Sequence, residues 1–210
     1  MWSLICLISL AFTPEVTSYS YGPPLGACAR MFPKGHGVNS QTSVSPYEIL
    51  VNATTYKPND VIEITVNSTG LHDVTYFEGM MLQARRIACN VNDPTKSHGM
   101  FSVMAGDQFL TTMDCESNVK SAVVHMNHSK IESKVFYWKA DFSSPVGHLV
   151  FRATVVKGKT TFWEKVYSPV IKDEASKAPL TICDSGADLV KIQSVFTMLS
   201  ALILTMCITL

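Results

Sequence analysis

Through the middle of this 210-residue chain apolar and polar positions alternate, whereas both ends are continuously apolar. In Val61-Ile62-Glu63-Ile64-Thr65-Val66-Asn67, three aliphatic side chains share one face and Glu63, Thr65 and Asn67 the other. A period of two over that length marks a half-buried β-strand. Similar patterns occur at residues 47–51, 77–85, 100–104, 122–126, 135–140, 148–156 and 162–167, mostly separated by Gly, Pro, Asn or Ser. Tyr56-Lys57-Pro58-Asn59-Asp60 reads as a turn, because proline presets φ and Asn or Asp tolerates tight positions. Lys157-Gly158 reads as the step of a hairpin. No middle segment sustains a 3.6-residue apolar period. The pattern therefore predicts an all-β antiparallel sandwich of about seven to nine short strands.

The ends carry different signals. The apolar run at residues 4–12 is too short to span a bilayer, which takes about 20 residues. It matches the core of a secretory signal, with Val16 and Ser18 as small residues before a cleavage at Tyr19, so residues 1–18 are expected to be a signal peptide. Residues 195–210 are uncharged, with no basic cluster after them. Upstream lie Ser185-Gly186-Ala187 and a short spacer. Small residues, spacer and apolar tail are the parts of a glycosylphosphatidylinositol (GPI) attachment signal. The expectation is attachment at Ser185, removal of 186–210 and display on the outer face of the plasma membrane. The alternatives are a short membrane helix in the tail, or secretion.

Between the ends, 19–172 is long enough for one domain with its own core, followed by a polar stalk at 173–185. Lys and Arg total 17, as do Asp and Glu, which disfavours nucleic acid as a partner. A local basic patch remains open, and Arg85, Arg86, Lys157 and Lys159 are its candidates, against a plainer reading as solvated turn and edge residues. Of six cysteines, Cys6 and Cys207 fall in the ends. Cys28, Cys89, Cys115 and Cys183 remain, enough for two disulfides in an exported chain, with three possible pairings. None sits at the short spacing of a zinc site. Asn52-Ala53-Thr54, Asn67-Ser68-Thr69 and Asn127-His128-Ser129 are N-glycosylation acceptors.

Candidate chemistry is sparse. His36, His98, His125, His128 and His148 read as ordinary surface histidines rather than metal ligands. Asp107, Asp114, Glu116 and Asp141 read as solvated loop carboxylates. Met80, Met81, Met104, Phe136, Trp138 and Trp163 read as core. No nucleophile-elbow signature is present. The expectation is a noncatalytic protein without cofactor or metal.

The order of several blocks resembles a known family. These are Cys28-x-x-Met31-x-Pro33-x-x-His36, Pro46-Tyr47-Glu48-Ile49, Tyr56-Lys57-Pro58-Asn59-Asp60 and Phe77-Glu78-Gly79-Met80-Met81-Leu82-Gln83-Ala84-Arg85. Cys115, Ala122-Val123-Val124-His125, Phe136-Tyr137-Trp138, Gly147-His148-Leu149-Val150-Phe151-Arg152 and Phe162-Trp163 follow. Together they resemble a reeler (reelin N-terminal) domain over about residues 22–172. The resemblance implies an immunoglobulin-like β-sandwich and a Cys28–Cys115 disulfide, leaving Cys89 and Cys183 as the second pair. Reeler domains occur in reelin and F-spondin, in insect secreted defence proteins, and at the front of ferric-chelate reductase-like membrane proteins. In the reductases the activity belongs to a following haem-binding cytochrome domain, and this chain has no multi-helix apolar region to supply one. The resemblance thus implies recognition or adhesion in innate defence, with a cell-surface, matrix or microbial-surface ligand. The alternatives are a glycosaminoglycan-binding module using Arg85, Arg86, Lys157 and Lys159, or an accessory to a ferric-reductase-type membrane cytochrome.

Overall fold

The computed structural model describes residues 22–86, 95–144 and 146–177, together with the backbone of 182–183 and 189–190. Two antiparallel sheets face each other across one core. The first contains β1 (Tyr47–Val51), β3 (Val61–Ser68), β8 (Ser133–Lys139) and β5 (Met100–Ser102), in that order. The second is ordered β10 (Thr161–Tyr167), β9 (Leu149–Gly158), β4 (Gly79–Arg86), β7 (Asn118–His125) and β6 (Leu110–Cys115). The chain is an antiparallel β-sandwich, as its alternating pattern predicts, of the immunoglobulin-like kind that the reeler resemblance implies.

The alternation in β3 places Ile62, Ile64 and Val66 in the core, opposite Leu82, Ala84, Phe151 and Val155 of the other sheet. Burying such aliphatic side chains contributes about 1.5–3 kcal/mol each. Aromatic edges fill the middle. Trp138 is fully buried, with Tyr56 at 5.8 Å and Phe151 at 5.5 Å between ring centroids, both T-shaped. Phe136 and Trp163 are likewise core. Met104 is not: β5 ends at Ser102, and Met104 stands 54% exposed on the following turn.

Three departures from the sequence pattern have clear causes. Among the described residues β6 is an edge strand that pairs only with β7, so Leu-Thr-Thr-Met-Asp-Cys needs few apolar residues and shows no alternation. The hairpin joining β9 and β10 turns at Lys159-Thr160, because β9 continues through Lys157 and Gly158 rather than ending there. The start of the expected stalk is part of the sandwich. β11 (Lys172–Asp173) pairs in parallel with β2 (Thr55–Tyr56), and Asp173 is buried, accepting the Gly147 amide at 3.1 Å. Farther on, β12 (Ile182–Cys183) and β13 (Leu189–Val190) pair antiparallel.

Central β4 is buried on both faces from Gly79 to Arg85. One face is the sandwich core, and what covers the other creates the site.

Candidate functional site

Residues 22–36 cross the outer face of the five-stranded sheet as a strap with two short 3-10 turns, Leu25–Ala27 and Lys34–His36. A segment crossing strands cannot join their ladder, so its buried carbonyls need other donors. Outward-facing side chains of β4 and β9 supply them. Arg85 Nη2 donates to the carbonyls of Cys28 at 2.7 Å and Ala29 at 3.2 Å. Arg152 Nη2 reaches the Arg30 carbonyl at 3.3 Å, and Thr154 Oγ1 the Met31 carbonyl at 2.6 Å. Gln83 completes the layer, accepting from Arg85 through Oε1 and approaching Cys115 Sγ with Nε2 at 3.0 Å. The Cys28–Cys115 disulfide ties the strap to edge strand β6, with Cα atoms 5.5 Å apart. Beneath the strap, Ala27, Met31, Met81, Ala122 and Val124 form a second, smaller core.

Beside that small core lies a partly open cleft of about 450 Å³. Its apolar walls include Pro23, Ala27, Met31, Phe32, Met81 and Val156. Among the described residues, Lys34, His36, His125 and Thr154 are its side chains with polar groups, and none that lines it is acidic. Two of those groups are already engaged: Thr154 by Met31, and His125 Nδ1 by the Met80 amide at 3.2 Å. The imidazole of His125 packs so closely on Gly79 that a Cβ there would lie 3.1 Å from the ring. His36 stacks edge-on against Phe162 with centroids 5.5 Å apart. Burial lowers its pKa, and the charge of nearby Lys159 lowers it further, against a hydrogen bond to the Lys159 backbone that raises it. The net shift is downward, which favours a neutral ring at neutral pH. The dimensions and lining are those of a small-ligand site with an apolar body and a few polar groups.

The expected basic patch does not form. Arg85 is 3% exposed and held under the strap, so it is structural and offers no surface charge to a glycan. Arg86 is exposed at the far end of β4, where it pairs with Leu149, while Gly79 pairs with Val156. Seven residues of strand, roughly 23 Å, therefore separate Arg86 from the Lys157 end. Lys157 lies 5.9 Å over the Tyr76 ring, and Lys159 is exposed on the turn beyond. Burial likewise overturns the solvated reading of Asp107, whose side chain is 4% exposed and bonded to Lys134 at 2.8 Å. Among the described residues, no three His, Cys, Asp or Glu side chains converge as a metal site.

Asn52 and Asn67 lie at the four-stranded sheet, away from the cleft, whereas Asn127 follows the cleft residue His125 by two positions. Asn67 is on the outward face of β3, its Nδ2 donating to Glu48 at 3.2 Å. Asn52 follows β1 and accepts the Glu63 amide at 2.9 Å. Asn127 sits in the turn after β7, its Oδ1 accepting the Ser129 amide at 2.9 Å. Cys89, Ser185 and the side chain of Cys183 lie outside the described residues, so the second expected disulfide and the anchor site do too.

The Reeler domain family model matches residues 26–179. The chain belongs to the Reeler domain family. A Bombyx mori protein named as a defense protein is 33% identical over 178 residues, covering 82% of this chain and 97% of that protein. Human ferric-chelate reductase 1 is 35% identical over 168 residues, covering 79% of this chain but 26% of the reductase. The chain thus spans about a quarter of the reductase's length and nearly all of the moth protein's. The human F-spondin reeler domain has the same fold, with a TM-score of 0.50 at 18% identity, covering 65% of this chain and 94% of that domain.

Within this Reeler domain, sequence reasoning anticipated Cys28 and Cys115 but missed the cleft. Its residues come from the strap and three strands, so no local pattern joins them. The only local sign is the density of Pro and Gly at 22–37, a segment that is neither strand nor long helix.

Proposed function

We propose that this Reeler protein is a noncatalytic, glycosylated recognition module of the extracellular space, and that the strap cleft is where it binds its ligand. The near-complete correspondence in length with an insect defense protein carries the host-defence reading, in which the ligand belongs to a microbial surface. Glycans at Asn52 and Asn67 would shield the four-stranded sheet and leave the cleft on the opposite sheet accessible. Display is through a lipid anchor at Ser185, with secretion as the alternative route to the same exterior.

Binding of the full-length protein to bacterial cells and to lipopolysaccharide tests this reading, with Val156→Trp as a variant that fills the cleft. Saturable binding lost in V156W is the expected result. Absence of saturable binding by the unaltered protein removes the defence role.

The identity with ferric-chelate reductase 1 supports a second reading, as an accessory to a membrane cytochrome. Under it, the tagged chain retains a haem-absorbing membrane partner on purification. A glycosaminoglycan-binding role is less favoured, because Arg85 is buried and Arg86 is remote from Lys157 and Lys159.

A further inference from the structure

The cleft's chemistry is unevenly distributed. Its apolar walls include Met31 and Met81, which are unbranched, polarizable and able to adapt to an irregular apolar guest. At its charged end, Lys34 lines the cleft, and Lys159 stands on the β9–β10 turn, three residues after the wall residue Val156 and three before Phe162, which packs on His36 at 5.5 Å. Both lysines are exposed, and among the described residues neither takes part in an ion pair. An apolar trough with a cationic end, and with no acidic side chain among the described residues that line it, complements a molecule that is apolar along its length and anionic at one end.

Size and hydrogen bonding narrow the class. At about 30 Å³ for each water-sized group, 450 Å³ holds roughly fifteen such groups, enough for one medium-length alkyl chain and its head. A sugar fits poorly: Thr154 and His125 already bond within the protein, so its hydroxyls would enter with few partners. We infer that the cleft binds one single-chain anionic amphiphile, its alkyl chain against Met31 and Met81 and its acid head between Lys34 and Lys159. This inference rests on the reading of the cleft as the recognition site.

Methyl NMR of the full-length protein, labelled at the methionine methyls and titrated with dodecanoate below its aggregation concentration, tests it. Saturable one-to-one shifts of Met31 and Met81 are expected, with exposed Met104 unmoved. Lys34→Glu combined with Lys159→Glu should weaken dodecanoate at least tenfold and leave uncharged dodecanol within about twofold, since two charges of the opposite sign then meet the head. V156W should abolish both. Tighter binding of dodecyl phosphate than of dodecanoate would assign a phosphate head, and the reverse a carboxylate. Non-saturating shifts, or equal effects of the charge reversal on acid and alcohol, would overturn the assignment. If dodecanoate fails while V156W still loses cell binding, the ligand class is wrong and the recognition reading stands. If dodecanoate binds but cells do not, the microbial reading alone falls.

Discussion

Thr154 donates a 2.6 Å hydrogen bond from its buried hydroxyl to the carbonyl of Met31, 123 residues earlier in the chain. Met31 adopts a left-handed conformation with φ of 58°, and its own amide turns back to the Ala27 carbonyl at 2.6 Å. The bond therefore holds a backbone bend against the sheet at the point where the strap opens into the cleft. Replacing Thr154 with Val keeps the shape and removes the donor, leaving a buried carbonyl unpaired. We expect a loss of about 1–3 kcal/mol in chemical denaturation, restored largely by Thr154→Ser. Hydrogen exchange should localise the loosening to the strap, and uniform destabilisation without it would contradict this role.

The Cys28–Cys115 disulfide closes a separation of 87 residues between strap and edge strand. Replacing both cysteines with Ala should cost about 4–5 kcal/mol at most by the chain-entropy model. The same variant should lose binding in the cleft before it loses the sandwich, because the strap is what the bond ties down. Near-ultraviolet dichroism for the sandwich, read beside the Met31 and Met81 methyl resonances, separates the two effects.

Asp107 has a lowered pKa although burial alone would raise it. The Lys134 ammonium and the amides of Phe109 and Leu110 outweigh burial by bonding the ionised carboxylate. A depressed folded pKa contributes stability that is present above the unfolded value of about 3.9 and lost as pH falls through the folded value. Asp107→Asn should therefore destabilise by about 1–3 kcal/mol at pH 7 and by less at an acidic pH below the unfolded value. Urea unfolding at the two pH values checks this. A difference that persists undiminished in acid would assign the effect to packing.

Gly99 has φ of +70°, and a Cβ there would meet the Trp138 indole and lie 2.6 Å from the Lys139 carbonyl oxygen. The Trp138 Nε1–H also donates to the His98 carbonyl at 2.8 Å. Gly99→Ala combines backbone strain with a clash against a fully buried tryptophan, so a loss of about 3 kcal/mol is expected. Thermal unfolding followed by tryptophan fluorescence measures it. A melting temperature within 2 °C (roughly 1 kcal/mol or less for a domain this size) would refute the clash.

Much of this protein is written locally. The period of two in residues 61–67 is enough to assign β3 and its buried face, because a strand exposes its pattern one residue at a time. Composition and cysteine count are enough to expect an exported domain stapled by disulfides, and the block order is enough to point to a Reeler sandwich. What the sequence could not indicate is where the polar residues of β4 and β9 would go. Gln83, Arg85, Arg152 and Thr154 look like a solvated outer face, yet all four are buried. Only the folded strap, whose carbonyls need donors and whose apolar side chains need cover, turns that face inward. Asp107 reads as a solvated loop carboxylate for a similar reason, since its partner Lys134, 27 positions later in the chain, reaches it only in the sandwich. Local periodicity thus determined the strands and the core, and tertiary contact between distant segments decided the strap, the cleft and the charges at its mouth.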